Sequence, residues 1–138
     1  MTSPLPHPPL GIHTWFGLRV PYVERLGMIR AAGFGAVSVW WEEDRDGARE
    51  LRERVPGAVR DAGLVLDHLH VPYRGCDDLW SSDGNARRAM VSRHLGWIED
   101  CARHGVPTMV MHATLSTRAA RDMDAGLKSF GALAERAG

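Results

Sequence analysis

Four short apolar runs, at residues 10–13, 36–40, 64–70 and 108–112, are each followed by a longer stretch in which apolar residues recur every three or four positions. Runs of that length read as buried strands and the longer recurrence as amphipathic helix, so the alternation predicts four βα units with parallel strands. The first helix is expected from Pro21, a residue favoured in the first helical turn, through Val23, Leu26, Met28 and Ile29 to a stop near Gly33. The second, from about residue 46 to 62, sets Leu51, Val55 and Val59 four apart, and Pro56 with Gly57 inside it predicts a kink or two short helices. The third takes Asp83 or Asn85 as its N-cap, carries Met90, Leu95, Ile98 and Ala102 as an apolar stripe, and stops at Gly105. The fourth begins near Ala119 and places Leu127, Phe130, Leu133, Ala134 and Ala137 on one side. Residues 1–9 read as a flexible, proline-rich tail ahead of one domain, residues 10–138.

Length changes the picture. The chain has 138 residues, enough for one buried core but well short of the roughly 250 residues of a complete (βα)8 barrel. The expected fold class is therefore α/β, a parallel (βα)4 half of a TIM barrel. Four parallel strands leave two open edges and an inner face without its opposite half. Completion by dimerisation, or by a missing C-terminal half-barrel, is expected. The 17 basic and 17 acidic residues cancel, so no overall field draws the chain to nucleic acid or to an anionic membrane. Neither is an expected partner. Cys76 and Cys101 lack metal-type pairing and suit packed, reduced thiols of a cytosolic protein. No signal peptide precedes them and no run approaches the ~18 apolar residues of a membrane span, so a soluble, cytoplasmic protein is expected.

Three of the four expected strands end in histidine, at His13, His70 and His112. Active sites of parallel βα folds lie at the carboxyl ends of the strands, so these side chains are candidates for one mouth. By two-residue alternation Leu66, His68 and His70 share a face, and so do Thr108, Val110 and His112. Imidazole is a common ligand for divalent metals, and two histidines from neighbouring strands supply two coordination positions. Each can equally be a hydrogen-bonded residue at a strand end. Trp15, Trp40, Trp41, Glu42 and Glu43 are further mouth candidates, since aromatic faces stack on sugar rings and carboxylates accept hydroxyl hydrogen bonds; packing and a solvated helix start are the plain alternatives. His68 reads as a positioning partner or a core histidine, Asp67 as turned toward the helical layer, and His94 and His104 as surface residues. The loop over residues 73–83 is long enough to be a lid or simply a connection.

The stretch His70-Val71-Pro72, the loop Leu79-Trp80-Ser81-Ser82-Asp83, the arginine-bearing third helix and the run Gly105-Val106-Pro107-Thr108-Met109-Val110-Met111-His112 resemble the xylose-isomerase-like TIM-barrel superfamily. Gly11-Ile12-His13 and Gly33-Phe34-Gly35-Ala36-Val37 fit its first helix and second strand. That superfamily includes sugar phosphate isomerases and epimerases and endonuclease-IV-like enzymes, and the resemblance covers its N-terminal half, from about residue 10 to 138. It implies a metal-binding role for His70 and His112, with a divalent cofactor such as Mn, Zn, Mg or Co. It also places Ser38 where many members carry a glutamate, and puts the remaining carboxylates on strands beyond this chain. The catalytic residues are therefore unassigned.

The function expected from these readings is sugar isomerase or epimerase chemistry: metal-assisted proton transfer next to a carbonyl of a sugar, sugar phosphate or polyol, incomplete in this chain alone. His13, Trp15, Trp40 and Glu42 are the expected substrate contacts, and His70 and His112 the metal ligands. A non-catalytic, self-associating half-barrel is the alternative from another class. An apurinic endonuclease-like fragment shares the histidines, but the neutral charge and absent Lys/Arg cluster count against it.

Overall fold

The computed structural model describes residues 10–17, 19–41, 48–116 and 121–138, with the backbone alone at 48–51. The expected tail, the Ala119 helix start and the Glu42 and Glu43 candidates lie outside these residues. The element order is β1 (Gly11–His13), α1 (Tyr22–Ala31), β2 (Ala36–Trp40), α2 (Ala48–Asp61), β3 (Val65–His70), a 3-10 turn (Cys76–Trp80), α3 (Gly84–His104), β4 (Thr108–Val110) and α4 (Met123–Ala137). The strands follow the order β1-β2-β3-β4, giving an α/β fold of four βα units. The chain forms two compact units, residues 1–69 and 70–138.

In the first unit β1 and β2 pair in parallel, with Gly11 opposite Ala36, Ile12 opposite Val37 and His13 opposite Ser38. Val65 N–H donates to the Gly35 carbonyl at 3.0 Å, which brings β3 alongside β2. Pro21 sits at the N-cap of α1, and the helix is released at Gly33, whose φ of +92° lies in the left-handed region that glycine tolerates. Leu26 and Ile29 are its buried residues, whereas Val23 and Met28 are exposed. Val37, Val39 and Trp41 alternate into the same core. Of the two expected outcomes, a kink or two short helices, the second does not occur: α2 is one helix running through Pro56. A proline there removes one backbone bond, but Val55, Pro56 and Val59 are all buried, and tertiary packing outweighs the local loss.

The second unit is built around Leu79, Met90, Ile98 and Leu133, with Met109, Met111, Trp80 and Phe130 against them. The Asp83 side chain caps α3 by accepting from Asn85 N–H at 2.8 Å, and Gly105 ends it at φ +67°. Asp122 caps α4 by accepting from Ala125 N–H at 3.0 Å. Of the expected stripe on α4, Leu133 is buried and Phe130 packs against the core, whereas Leu127, 65% exposed, Ala134 and Ala137 are not buried; Ala125, Gly126 and Ser129 complete the buried face. The reason is Trp80. Its ring lies over Gly126 and 5.1 Å from the Phe130 ring, so the contact face needs small residues where the sequence pattern directs attention to large ones.

His94 also departs from expectation. It is fully buried, edge-on to Trp97 at 4.8 Å between ring centroids. Its Nδ1–H donates to the Met90 carbonyl at 2.9 Å. A carbonyl only accepts, so Nε2 is the unprotonated nitrogen; it is buried without a hydrogen-bond partner among the described residues. Burial holds the imidazole below its ordinary pKa, Arg93 adds to the effect, and the Met90 bond opposes it.

Two outcomes follow from this packing. Gly126→Ala gains about 1 kcal/mol of helix propensity. It places a Cβ inside the Trp80 ring, however, so the urea midpoint should fall, with a net loss of about 1–2 kcal/mol after overpacking; an unchanged or raised midpoint refutes the wedge. The unfolded chain binds at His94 a proton that the folded chain resists, so stability should drop as pH falls below about 6.5. The drop between pH 7 and 5.5 should be smaller in His94→Leu, read as urea midpoints at each pH.

Candidate functional site

The fold supplies two groups of chemistry-bearing side chains. In the second unit His70 ends β3, and His112 lies two residues past the end of β4. Val71 N–H donates to the Val110 carbonyl at 3.0 Å, continuing the pairing beside these ends. The His70 and His112 rings meet edge to face at 5.3 Å between centroids, and the Tyr73 ring stands 5.3 Å from His112 on the other side. Tyr73 is exposed and was missed in the sequence, although its place three residues after His70, just past Pro72, marks it as a strand-end residue.

The segment carrying His112 is fastened to the 3-10 turn. Trp80 Nε1–H donates to the Ala113 carbonyl at 2.6 Å. The Thr114 hydroxyl donates to Asp77, and the Leu115 N–H donates to the same carboxylate oxygen at 3.1 Å. Arg121 donates to Thr114 Oγ1 at 2.8 Å and to the Ser116 carbonyl at 2.6 Å. The Thr114 bond holds Asp77 below the usual carboxylate range, helped by Leu115, Ser116 and Arg121 against a smaller effect of burial. The residues of the 73–83 loop thus include an anchor: Asp77 and Trp80 tie down the neighbouring loop.

In the first unit His13 and Ser38 share a hydrogen bond of 2.7 Å between Nδ1 and Oγ across the β1–β2 pair. Asp67 is 61% exposed, accepts from His68 Nδ1–H at 2.8 Å, and is among the residues that line a cleft with His13 and Ser38. His68 is half-buried in the same cleft.

Of the expected substrate contacts, Trp15 is exposed and carries the Arg25 guanidinium 5.1 Å from its ring centroid, with Tyr22 on Arg25 at 6.0 Å. Trp40 is half-buried at the end of β2, and Trp41 belongs to the core. His70 and His112 are brought together; His13 sits with Ser38 in the other unit. Two imidazoles fall short of the three protein ligands typical of a catalytic zinc site. Among the described residues no group of three or more His, Cys, Asp or Glu is placed to hold a metal ion. The side chains described here therefore do not make a complete metal site.

No protein-family model matches the chain, and no curated protein matches it. Solved structures do. A D-psicose 3-epimerase, in the presence of D-fructose, aligns at TM-score 0.70 and 15% identity over 94% of this chain and 48% of that one. An L-ribulose 3-epimerase aligns at 0.68 and 18% over 94% and 46%, and a xylose isomerase domain protein from Planctomyces limnophilus at 0.60 and 15% over 96% and 51%. The chain spans about half the length of each. At such identities the likeness is one of fold. The fold is a (βα)4 half-barrel, like the matching half of each of these structures. Among the described residues no helix is long and apolar enough to cross a membrane.

The anchoring of the His112 segment is testable by amide hydrogen exchange. In Asp77→Ala the Leu115 amide should exchange about tenfold faster, the consequence of losing a bond to a charged acceptor, while Ile98 in the core is unchanged. Because the folded-state pKa is depressed, wild-type protection should persist at every pH above the ordinary carboxylate range and be lost only as acid protonates Asp77.

Proposed function

We propose that this half-barrel belongs to a sugar isomerase or epimerase, acting by proton transfer next to the carbonyl of a sugar or polyol. The observation that supports the reading best is the pairing of His70 with His112 at the carboxyl ends of neighbouring parallel strands, where this fold places its chemistry. An imidazole near neutrality both accepts and returns a proton, which is what exchange at a carbon beside a carbonyl requires. Tyr73, packed on His112, shields one side of that ring and limits its orientation.

In this reading His13, Trp15 and Trp40 contact substrate, as does Glu42, which lies outside the described residues. His70 and His112 contribute two of the donors of a divalent-metal site, and the rest come from elsewhere. The other four βα units come from a second copy of the chain or from a C-terminal half-barrel. The proton-transfer role of the histidine pair is independent of how that half is supplied.

The test is incorporation of deuterium from heavy water into D-fructose at carbons adjacent to the carbonyl, followed by NMR with and without added Mn²⁺. Wild type should catalyse exchange, and His70→Ala and His112→Ala should each lower the rate by about a hundredfold, the low end of the general acid–base range. Exchange that survives both substitutions, or is absent from wild type with and without metal, overturns the reading. Bound metal measured in the same samples should fall in both variants; unchanged content removes them as ligands.

A further inference from the structure

The cleft in the first unit has a chemistry of its own. It is open, about 260 Å³ in volume, and lined by Gly11, Ile12, His13, Val37, Ser38, Asp67 and His68. That is just under the roughly 300 Å³ at which small-molecule sites begin. Its polar members come as two bonded pairs, Ser38 with His13 and Asp67 with His68. We propose that Asp67, oriented by His68, is a hydroxyl-binding carboxylate in this cleft, which with Ser38 and His13 binds a neutral polyhydroxylated compound in preference to a phosphate ester. The proposal rests on the sugar reading above and names the substrate class and a residue that the reading does not contain.

The carboxylate is the discriminating group. An ionised carboxylate only accepts hydrogen bonds, and a sugar or polyol offers a row of hydroxyl donors. His68 takes Oδ2, which fixes the plane of the group and leaves Oδ1, without a hydrogen bond among the described residues, to accept from a ligand. Charge-assisted bonds of this kind are roughly twice as strong as neutral ones. The hydroxyl of Ser38, buried and already bonded to His13, gives the opposite wall a fixed polar edge. Ile12, half-buried, adds an apolar edge suited to the C–H face of a sugar.

A phosphate ester meets the reverse conditions. Phosphate sites are built from arginine, lysine or several backbone N–H groups at a helix start. Among the described residues no lysine or arginine lines this cleft, and Asp67 would repel the anion at close range. The same argument disfavours a metal here, since the described residues gather no sufficient donor group. What remains is a neutral donor-rich ligand.

The experiment follows the histidine imidazole signals of the full chain by NMR, at fixed pH, during titration with D-fructose, D-fructose 6-phosphate and inorganic phosphate. D-Fructose should move the His13 and His68 signals saturably, the sugar phosphate should bind no tighter, and inorganic phosphate should move neither. Asp67→Asn keeps the shape but removes the charge, and should weaken D-fructose binding roughly tenfold, with a backbone amide pattern matching wild type showing that it folds. In His112→Ala the His13 and His68 shifts should remain. Movement driven by inorganic phosphate, tighter binding of the sugar phosphate, or unchanged affinity in Asp67→Asn overturns the proposal. Shifts confined to His70 and His112 end the Asp67 site while leaving the sugar reading standing, and no response at any histidine removes both.

Discussion

The bonds from Thr14 to the Ser38 carbonyl, from Gly35 to the Leu10 carbonyl and from Val71 to the Val110 carbonyl are rungs of parallel pairing. Parallel strands cannot be joined by a tight turn; each must be carried back by a crossover, here a helix. That requirement sets nearly everything else. It forces one βα unit after another, makes one side of each strand face its helix, and puts every strand's carboxyl end at the same pole of its ladder. His13, His70 and His112 stand at or just beyond such ends because of the pairing direction and not because of any local preference of histidine.

Within the second unit Trp80 turns that scheme into fixed geometry. Its carbonyl receives Asp122 N–H at 2.9 Å, its indole N–H reaches Ala113, and its ring fills the space that Gly126 leaves. One residue of a 3-10 turn thereby holds the start of α4 and the segment after β4. The Ser129 hydroxyl, donating to the Leu79 carbonyl at 2.9 Å, repeats the tie one helical turn further on. The position of His112 therefore depends on the turn as well as on its own strand, and Asp77 reinforces that tie through Thr114 and Leu115.

These relations separate what the sequence discloses from what it hides. Strand positions, the caps at Asp83 and Asp122, and the stops at Gly33 and Gly105 rest on local chemistry, and all but the Asp122 cap are legible from neighbouring residues alone. The Asp122 cap was passed over, because the apolar pattern drew the start of α4 toward Ala119. The face of α4 is hidden because a contact made by small residues has no apolar signature; its partner, Trp80, lies more than forty residues earlier. His94 is hidden for a related reason: the search for an apolar stripe credits Leu95 and Ile98, while a neutral imidazole with one satisfied nitrogen fits the same buried face. The role of Asp67 is hidden because its partner is the adjacent His68, a contact that strand periodicity does not signal. The pair His70 and His112 was legible, since both sit where a parallel strand delivers its last side chains.

The two polar groups ask different things of a ligand. In the proposed readings His70 and His112, with Tyr73 beside them, exchange single protons at a strand-end position, and Asp67 with His68 forms a fixed acceptor at mid-strand. Proton transfer beside a carbonyl needs a group that changes protonation state during the reaction, which suits imidazole near neutrality and not an ionised carboxylate held by its neighbour. Recognition of hydroxyls needs the opposite, a group whose charge stays constant while the ligand is oriented. In the proposed readings the recognition group and the first residue of the proton-transferring pair both come from β3, with two residues, His68 and Leu69, between Asp67 and His70.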